Sequence, residues 1–208
     1  MNSYTVPLNK QELRHATFQG EFKFFILDQS QKYATALISV GLFTNKQLAR
    51  MADAELISEL VLSLLNGIET ASQPKLTQLY REYDKTFPQA REVVGWLDTA
   101  FGFILDELKE LHNTPLTQKK FLFYSLFLAV AHITCNVPAL SEYFSRAPMA
   151  PIDQVRTNLS LLSEVTGTDS QEDLSFADFA KAAQEATNTK GNRAVRFNWL
   201  CRALSNEF

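Results

Sequence analysis

The chain has 208 residues, 46% of them hydrophobic, with 16 Phe but only seven Gly and seven Pro. That length fits one domain or one and a half; the hydrophobicity excludes a disordered chain, and the scarcity of Gly and Pro excludes a loop-rich all-β protein. A formal charge of −3 gives no overall pull toward nucleic acid or a membrane surface.

Taken in chain order, the pattern is helical almost throughout. An extended stretch, "NSYTVPL", leads into Asn9 and Glu12 at capping-box spacing, which predicts a short helix "KQELRHAT". Gly20 separates it from "EFKFFILDQSQKYATALISV". Thr44 and Gln47 repeat the capping box before a long helix reaching Gly67, with a bend at Asp53 where "RMADAE" interrupts the stripe. Ile57, Leu60, Val61, Leu64 and Leu65 mark its buried face. Ser72 and Pro74 open "PKLTQLYREYDKTF", and Pro88 opens a helix expected to run to about His112. Val94, Leu97, Phe101, Ile104, Leu108 and Leu111 form its packing seam. Gly95 and Gly102, on one face, predict the close approach of a neighbouring helix.

The segment from about Leu116 to Thr134 is apolar on nearly every side and is the expected centre of a bundle. Its core, "FLFYSLFLAVA", falls short of the roughly 20 apolar residues a membrane span needs. "PALSEYFSR" reads as a short helix, and the next runs from Pro151 to Gly167. Ser175 is the expected cap of "FADFAKAAQEAT", and Asn192 that of "RAVRFNWLCRAL". Residues 151–187 carry seven acidic and two basic side chains, whereas Lys190, Arg193, Arg196 and Arg202 make the last helix locally basic.

No P-loop, GxGxxG, HExxH or GxSxG motif is present. Glu55 and Glu59 share a helix face near Asp53, but no His stands at ligand spacing, so a solvated face or a pairing with Arg is favoured over a metal. His132, within the apolar helix, reads as a hydrogen-bonded core histidine rather than a base. Cys135 and Cys201 read as reduced thiols of a cytoplasmic protein, and Trp96 and Trp199 as packing residues. Arg193 and Arg196, three apart, could meet phosphate or the acidic segment before them. Gln11, Glu12 and Arg14 lie within one turn; Glu12 serves as capping partner of Asn9, leaving Arg14 for a carboxylate or phosphate.

The stretch "NSYTVPLNKQELRHATFQGEFK" resembles a motif of the ParB-like family of defence and restriction nucleases, which includes the N-terminal domain of the GmrSD enzymes. Asn2, Leu8, Glu12, Leu13, Arg14 and Ala16 carry the match. "FTNKQLARMADAELISELV", "FLFYSLF" and the Arg193/Arg196 pair follow in the family's order. The resemblance implies a preceding α/β domain with an Asp-Gly-Gln-Gln-Arg motif that handles nucleotide; neither that motif nor a His-Asn-His domain occurs in this chain. It therefore implies the helical part of a nucleotide-dependent restriction or anti-phage protein, not itself an enzyme, with Met1 a start introduced for expression, an alternative start codon or the start of a truncated gene. Nucleoside triphosphate and Mg²⁺ would belong to the complete protein. The expected partners are the absent α/β domain or another copy of the chain, together with DNA, and no membrane. Asn2, Gln11, Glu12, Arg14, Arg193 and Arg196 are the implied phosphate contacts. A stand-alone, non-enzymatic interaction module is the alternative.

The expected fold is a single all-α domain of eight to ten helices. Residues 1–20 form a connector and motif helix, 21–146 the core bundle, and 151–208 the C-terminal helices.

Overall fold

A computed structural model describes residues 7–166, 174–205 and 207–208. Among them there is no strand; the architecture is an all-α bundle of eleven α-helices, nine of which have seven or more residues. In order these are α1 (Lys10–Thr17), α2 (Glu21–Ser39), α3 (Asn45–Leu48), α4 (Ala52–Asn66), α5 (Gln73–Glu82), α6 (Ala90–Gly102), α7 (Pro115–Gln118), α8 (Lys120–Cys135), α9 (Ile152–Val165), α10 (Ala177–Gln184) and α11 (Lys190–Ser205).

Helix α8 is the axis. Every residue from Leu122 to Ile133 is buried, because α4, α6, α7 and α11 pack around it. Helix α2 lies along α4, and α9 and α10 lie against α11. One hydrophobic core runs from Phe22 in α2 to Leu204 in α11, so the C-terminal helices share it with the rest. Aromatic rings fill much of it: Phe22 meets Tyr80 and Phe87 edge-on, and Phe101 stacks on Tyr33.

Both capping boxes form. Asn9 and Glu12 exchange hydrogen bonds at the start of α1, and Thr44 and Gln47 do so at α3. The predicted long helix from Thr44 to Gly67 is divided instead: Met51 adopts φ 59° and ends α3's turn, after which α4 starts afresh. Gly67 follows α4 with φ 83°, a conformation glycine adopts without strain. Helix α5 stops at Glu82, because the backbone at Tyr83 and Asp84 turns to receive the first amides of α2.

Helix α6 does not continue to His112. It passes into a π-helical turn at Phe103–Glu107 and a 3₁₀ turn at Lys109–Leu111, yet Leu97, Phe101, Ile104, Leu108 and Leu111 all stay buried. The buried residue at the start of this seam is Val93 rather than Val94. Gly95 and Gly102 do not receive a neighbouring helix; a Cβ at either would meet open space, because both lie off the face that α6 turns to α8.

The predicted Leu116–Thr134 helix is broken at Lys119, which is extended. "PALSEYFSR" forms only a 3₁₀ turn at Pro138–Leu140. Phe176, not Ser175, precedes α10, and α11 begins at Lys190 with Asn192 already inside it. Asn192 instead donates to the carbonyl of Glu185, and the Thr189 hydroxyl accepts from the Asn192 amide. The predicted stop at Gly167 lies outside the described residues.

Candidate functional site

Helix α4 carries two stripes. Leu56, Ile57, Leu60, Val61 and Leu64 enter the core, while Glu55, Ser58, Glu59 and Ser63 recur three or four apart as a second, polar stripe. Polar groups at this depth must find partners, and each does so on a helix other than α4.

At one end, the Gln11 amide donates to Tyr80 Oη at 2.8 Å. Ser58 spends its proton on the Ala54 carbonyl, so the Tyr80 hydroxyl donates to Ser58 Oγ across 3.1 Å. Arg14 is 3% exposed. Its Nε and Nη2 donate to Gln11 Oε1 at 2.9 and 2.8 Å, its Nη1 donates to Gln73 Oε1 at 2.7 Å, and Glu55 lies 3.7 Å away. Gln73 in turn donates to Glu55 at 2.6 Å.

The middle is Lys120, which donates to Glu59 at 2.9 Å and stands 3.7 Å from Glu55. At the far end, Arg193 Nη2 donates to the other oxygen of Glu59 at 2.9 Å and Nη1 to the Glu69 carbonyl at 3.2 Å. Its guanidinium lies 4.2 Å over the Tyr124 ring, whose hydroxyl is bonded to Ser63. Arg193 Nε is buried without a partner. Three cations (Arg14, Lys120, Arg193) thus face two carboxylates along one seam.

Burial pushes the Glu59 carboxyl up, but Lys120 and Arg193 more than offset it, so the group lies below its ordinary 4.5. Burial lowers the Arg14 pKa from its ordinary value, opposed by Tyr80, Glu55 and Glu59.

The remaining predicted residues fall elsewhere. Glu12 closes the capping box and pairs with Arg50 at 2.7 Å, away from the seam. Arg196 is fully buried; its three nitrogens donate to Ser125 Oγ and to the carbonyls of Ala182 and Thr187. Burial, and then Arg193, lower its pKa to about 10, leaving it cationic at neutral pH. Asn2 lies outside the described residues. The structure therefore brings Gln11, Arg14 and Arg193 onto one seam and turns Glu12 and Arg196 to separate tasks.

His132 is fully buried, with Nε2 2.9 Å from the Phe144 carbonyl and Nδ1 3.3 Å from that of Val137. Among the described residues, no group of three or more His, Cys, Asp or Glu is placed to hold a metal. An open depression of about 620 Å³, lined by Ile133, Thr134, Arg146 and Met149, lies toward the C-terminal end of α8. Lys120 and Tyr124 of the seam are at its N-terminal end.

Sequence reasoning found the two glutamates and the two seam arginines but not Gln73, Tyr80, Lys120 or Tyr124. Tyr124 and Ser125 did carry a signal: polar groups inside an otherwise apolar helix announce buried hydrogen-bond partners. No helix is long and apolar enough to cross a membrane among the described residues. Comparison with models of known protein families, with curated proteins and with solved structures finds no match in any of the three.

Proposed function

We propose that this chain acts as the helical accessory part of a ParB-like, nucleotide-dependent DNA restriction or anti-phage protein. The observation that supports this reading most is the meeting of the two motif-bearing ends on α4. Arg14 of α1 approaches Glu55, Arg193 of α11 binds Glu59, and Lys120 bridges the pair. A second support is apolar surface at the start of the chain: Leu8 is 57% and Leu13 42% exposed, as a segment joined to a further domain would be.

In this reading, nucleotide and Mg²⁺ belong to the α/β domain. As arranged here, the seam's donors other than the buried Arg193 Nε are engaged by protein acceptors, so it forms no ready phosphate cradle. Arg14 is the residue best suited to exchange partners, because its direct acceptors are neutral carboxamides and a phosphate oxygen is a stronger acceptor. Arg196 would have to give up two backbone carbonyls to do the same.

The test uses a longer ParB-like protein that carries the α/β domain with this helical part. Fluorescent-nucleotide binding is expected to weaken when its counterpart of Arg14 is changed to Ala; unchanged affinity overturns the reading. DNA contact is tested on this chain through binding that declines with salt. No binding at low salt removes DNA from the proposal.

The engagement of Arg14, Arg193 and Arg196 by internal acceptors favours a second reading, a stand-alone non-enzymatic interaction module. It predicts self-association or partner binding that is indifferent to nucleotide.

A further inference from the structure

Helix α1 is docked the wrong way round for an amphipathic helix. Its buried residues are Gln11 and Arg14, both polar, while Leu8 just before it and Leu13 within it are exposed. Hydrophobic burial, which holds most surface helices in place, therefore contributes little along α1 itself. What holds the helix is a set of directional polar contacts. Gln11 binds Tyr80, Arg14 binds Gln73 and approaches Glu55, Asn9 donates to the Arg50 carbonyl at 2.8 Å, and Glu12 pairs with Arg50.

The chain just beyond α1 is anchored quite differently. Phe18 packs with its ring centroid 5.6 Å from that of Tyr80. The Gly20 amide donates to the Asp84 carboxylate at 2.9 Å, and the Glu21 amide to the Asp84 carbonyl at 3.0 Å. A Cβ on Gly20 would lie 1.4 Å from that carbonyl oxygen, so the two backbones are pressed together there. Phe22 is fully buried immediately afterwards. The fixed point is thus residues 18–22, and α1 is an arm extending from it.

We infer that α1 is a polar latch, an arm hinged at residues 18–20 that releases from α4 and α5 as a unit while the rest of the bundle stays folded. Polar contacts suit such a device. Water replaces each hydrogen bond on release, so that the net cost is only a part of its full strength, whereas an uncovered apolar face would have no substitute partner. The place that Arg14 occupies, formed by Tyr80, Gln73 and Glu55, is built for a guanidinium: an aromatic ring with its centroid 5.9 Å away, a carboxamide oxygen and a carboxylate. Release empties that place and opens the N-terminal half of the seam. The inference rests on the geometry of α1 alone and holds whichever reading of function is correct.

Native-state hydrogen exchange of the full chain tests it, without nucleotide or DNA. The Leu13 amide donates to the Asn9 carbonyl and the Phe18 amide to that of Arg14, so protection there reports α1. Amides 13–18 are expected to exchange through a local opening that depends little on denaturant, well before those of α8. Exchange of both sets through one shared, denaturant-dependent opening overturns the latch. Arg14→Met is expected to speed exchange at 13–18 by about tenfold or more, the factor that corresponds to one lost hydrogen bond to a charged group, and to leave α8 unchanged. Leu13→Ser is expected to change neither; faster exchange at 13–18 in that variant would show that α1 is held by apolar burial and would also overturn the inference. Should Arg14→Met not fold, the unmodified chain and Leu13→Ser still decide the matter.

Discussion

The guanidinium of Arg196 is fully buried, and its partners are a hydroxyl and two main-chain carbonyls rather than a carboxylate. Ala182 lies in the last turn of α10, where carbonyls have no intrahelical donor and the helix dipole is negative. Arg196 therefore caps one of these carbonyls from α11, beside the bond from the Glu185 amide to the Lys181 carbonyl, and ties both helices to Ser125 of α8. Arg196→Ala is expected to destabilise the fold by about 3 kcal/mol, since it strands the buried Ala182 carbonyl and the part-buried Thr187 carbonyl and leaves a cavity; a shift of the urea midpoint measures this. Arg196→Lys should recover only part of the loss, because a single ammonium cannot span acceptors set out for a planar fork. Glu59 is the matching residue of the seam. Glu59→Gln keeps its shape but removes the charge that balances Lys120 and Arg193, and a loss of about 3 kcal/mol is expected in the same measurement.

At the scale of elements, two glycines behave oppositely. Gly20 sits where α2 begins against Asp84, and Gly20→Ala forces backbone away from backbone. Its expected cost, more than about 3 kcal/mol, exceeds that of an ordinary surface substitution. Gly95 is within α6 but faces open space. Gly95→Ala removes backbone freedom from the unfolded chain and is expected to stabilise by about 0.5–1 kcal/mol. Thermal unfolding of the two variants checks both signs. The π-helical turn after Gly102 belongs to this scale as well. It lets the chain leave α-helical geometry while Ile104 and Leu108 remain in the core, and the Arg156 Nε donates to the Glu107 carbonyl at its end.

For the molecule as a whole, acid is the vulnerable direction. Burial holds the His132 imidazole below its ordinary 6.5, a pull the Phe144 and Val137 carbonyls only partly oppose and Arg146 reinforces. The unfolded chain then binds the proton more readily, so this contribution is complete above 6.5 and declines as pH falls from there to the folded value. Glu59, held below 4.5, contributes stability that is present above 4.5 and lost as pH falls through its folded value. The two act in sequence and with the same sign. Urea unfolding between about pH 7.5 and about pH 5 should show stability falling with pH in the upper part of that range, and His132→Gln should flatten that limb.

The seam shows at this scale what tertiary structure adds. Capping boxes at Asn9 and Thr44, the buried stripe of α4, the apolar α8 and the all-α class were legible in the sequence, because each depends on residues within a few positions of one another. The break at Met51 was legible only as an interruption around Asp53, and the break at Lys119, the π-helical turn and the true start of α11 were not legible, because contacts with residues distant in sequence accompany them. Glu55 and Glu59 could be singled out as a pair, but nothing local says that Arg14, Lys120 and Arg193 converge on them from three other helices. By itself the sequence determined the all-α class, where most of the helices lie and which of their faces are apolar, since propensity, capping and periodicity act over a turn or two. Only the tertiary structure decided which charges meet, and that α1 turns its polar side inward, because pairing across a bundle is set by where α4 and α8 carry their buried polar groups.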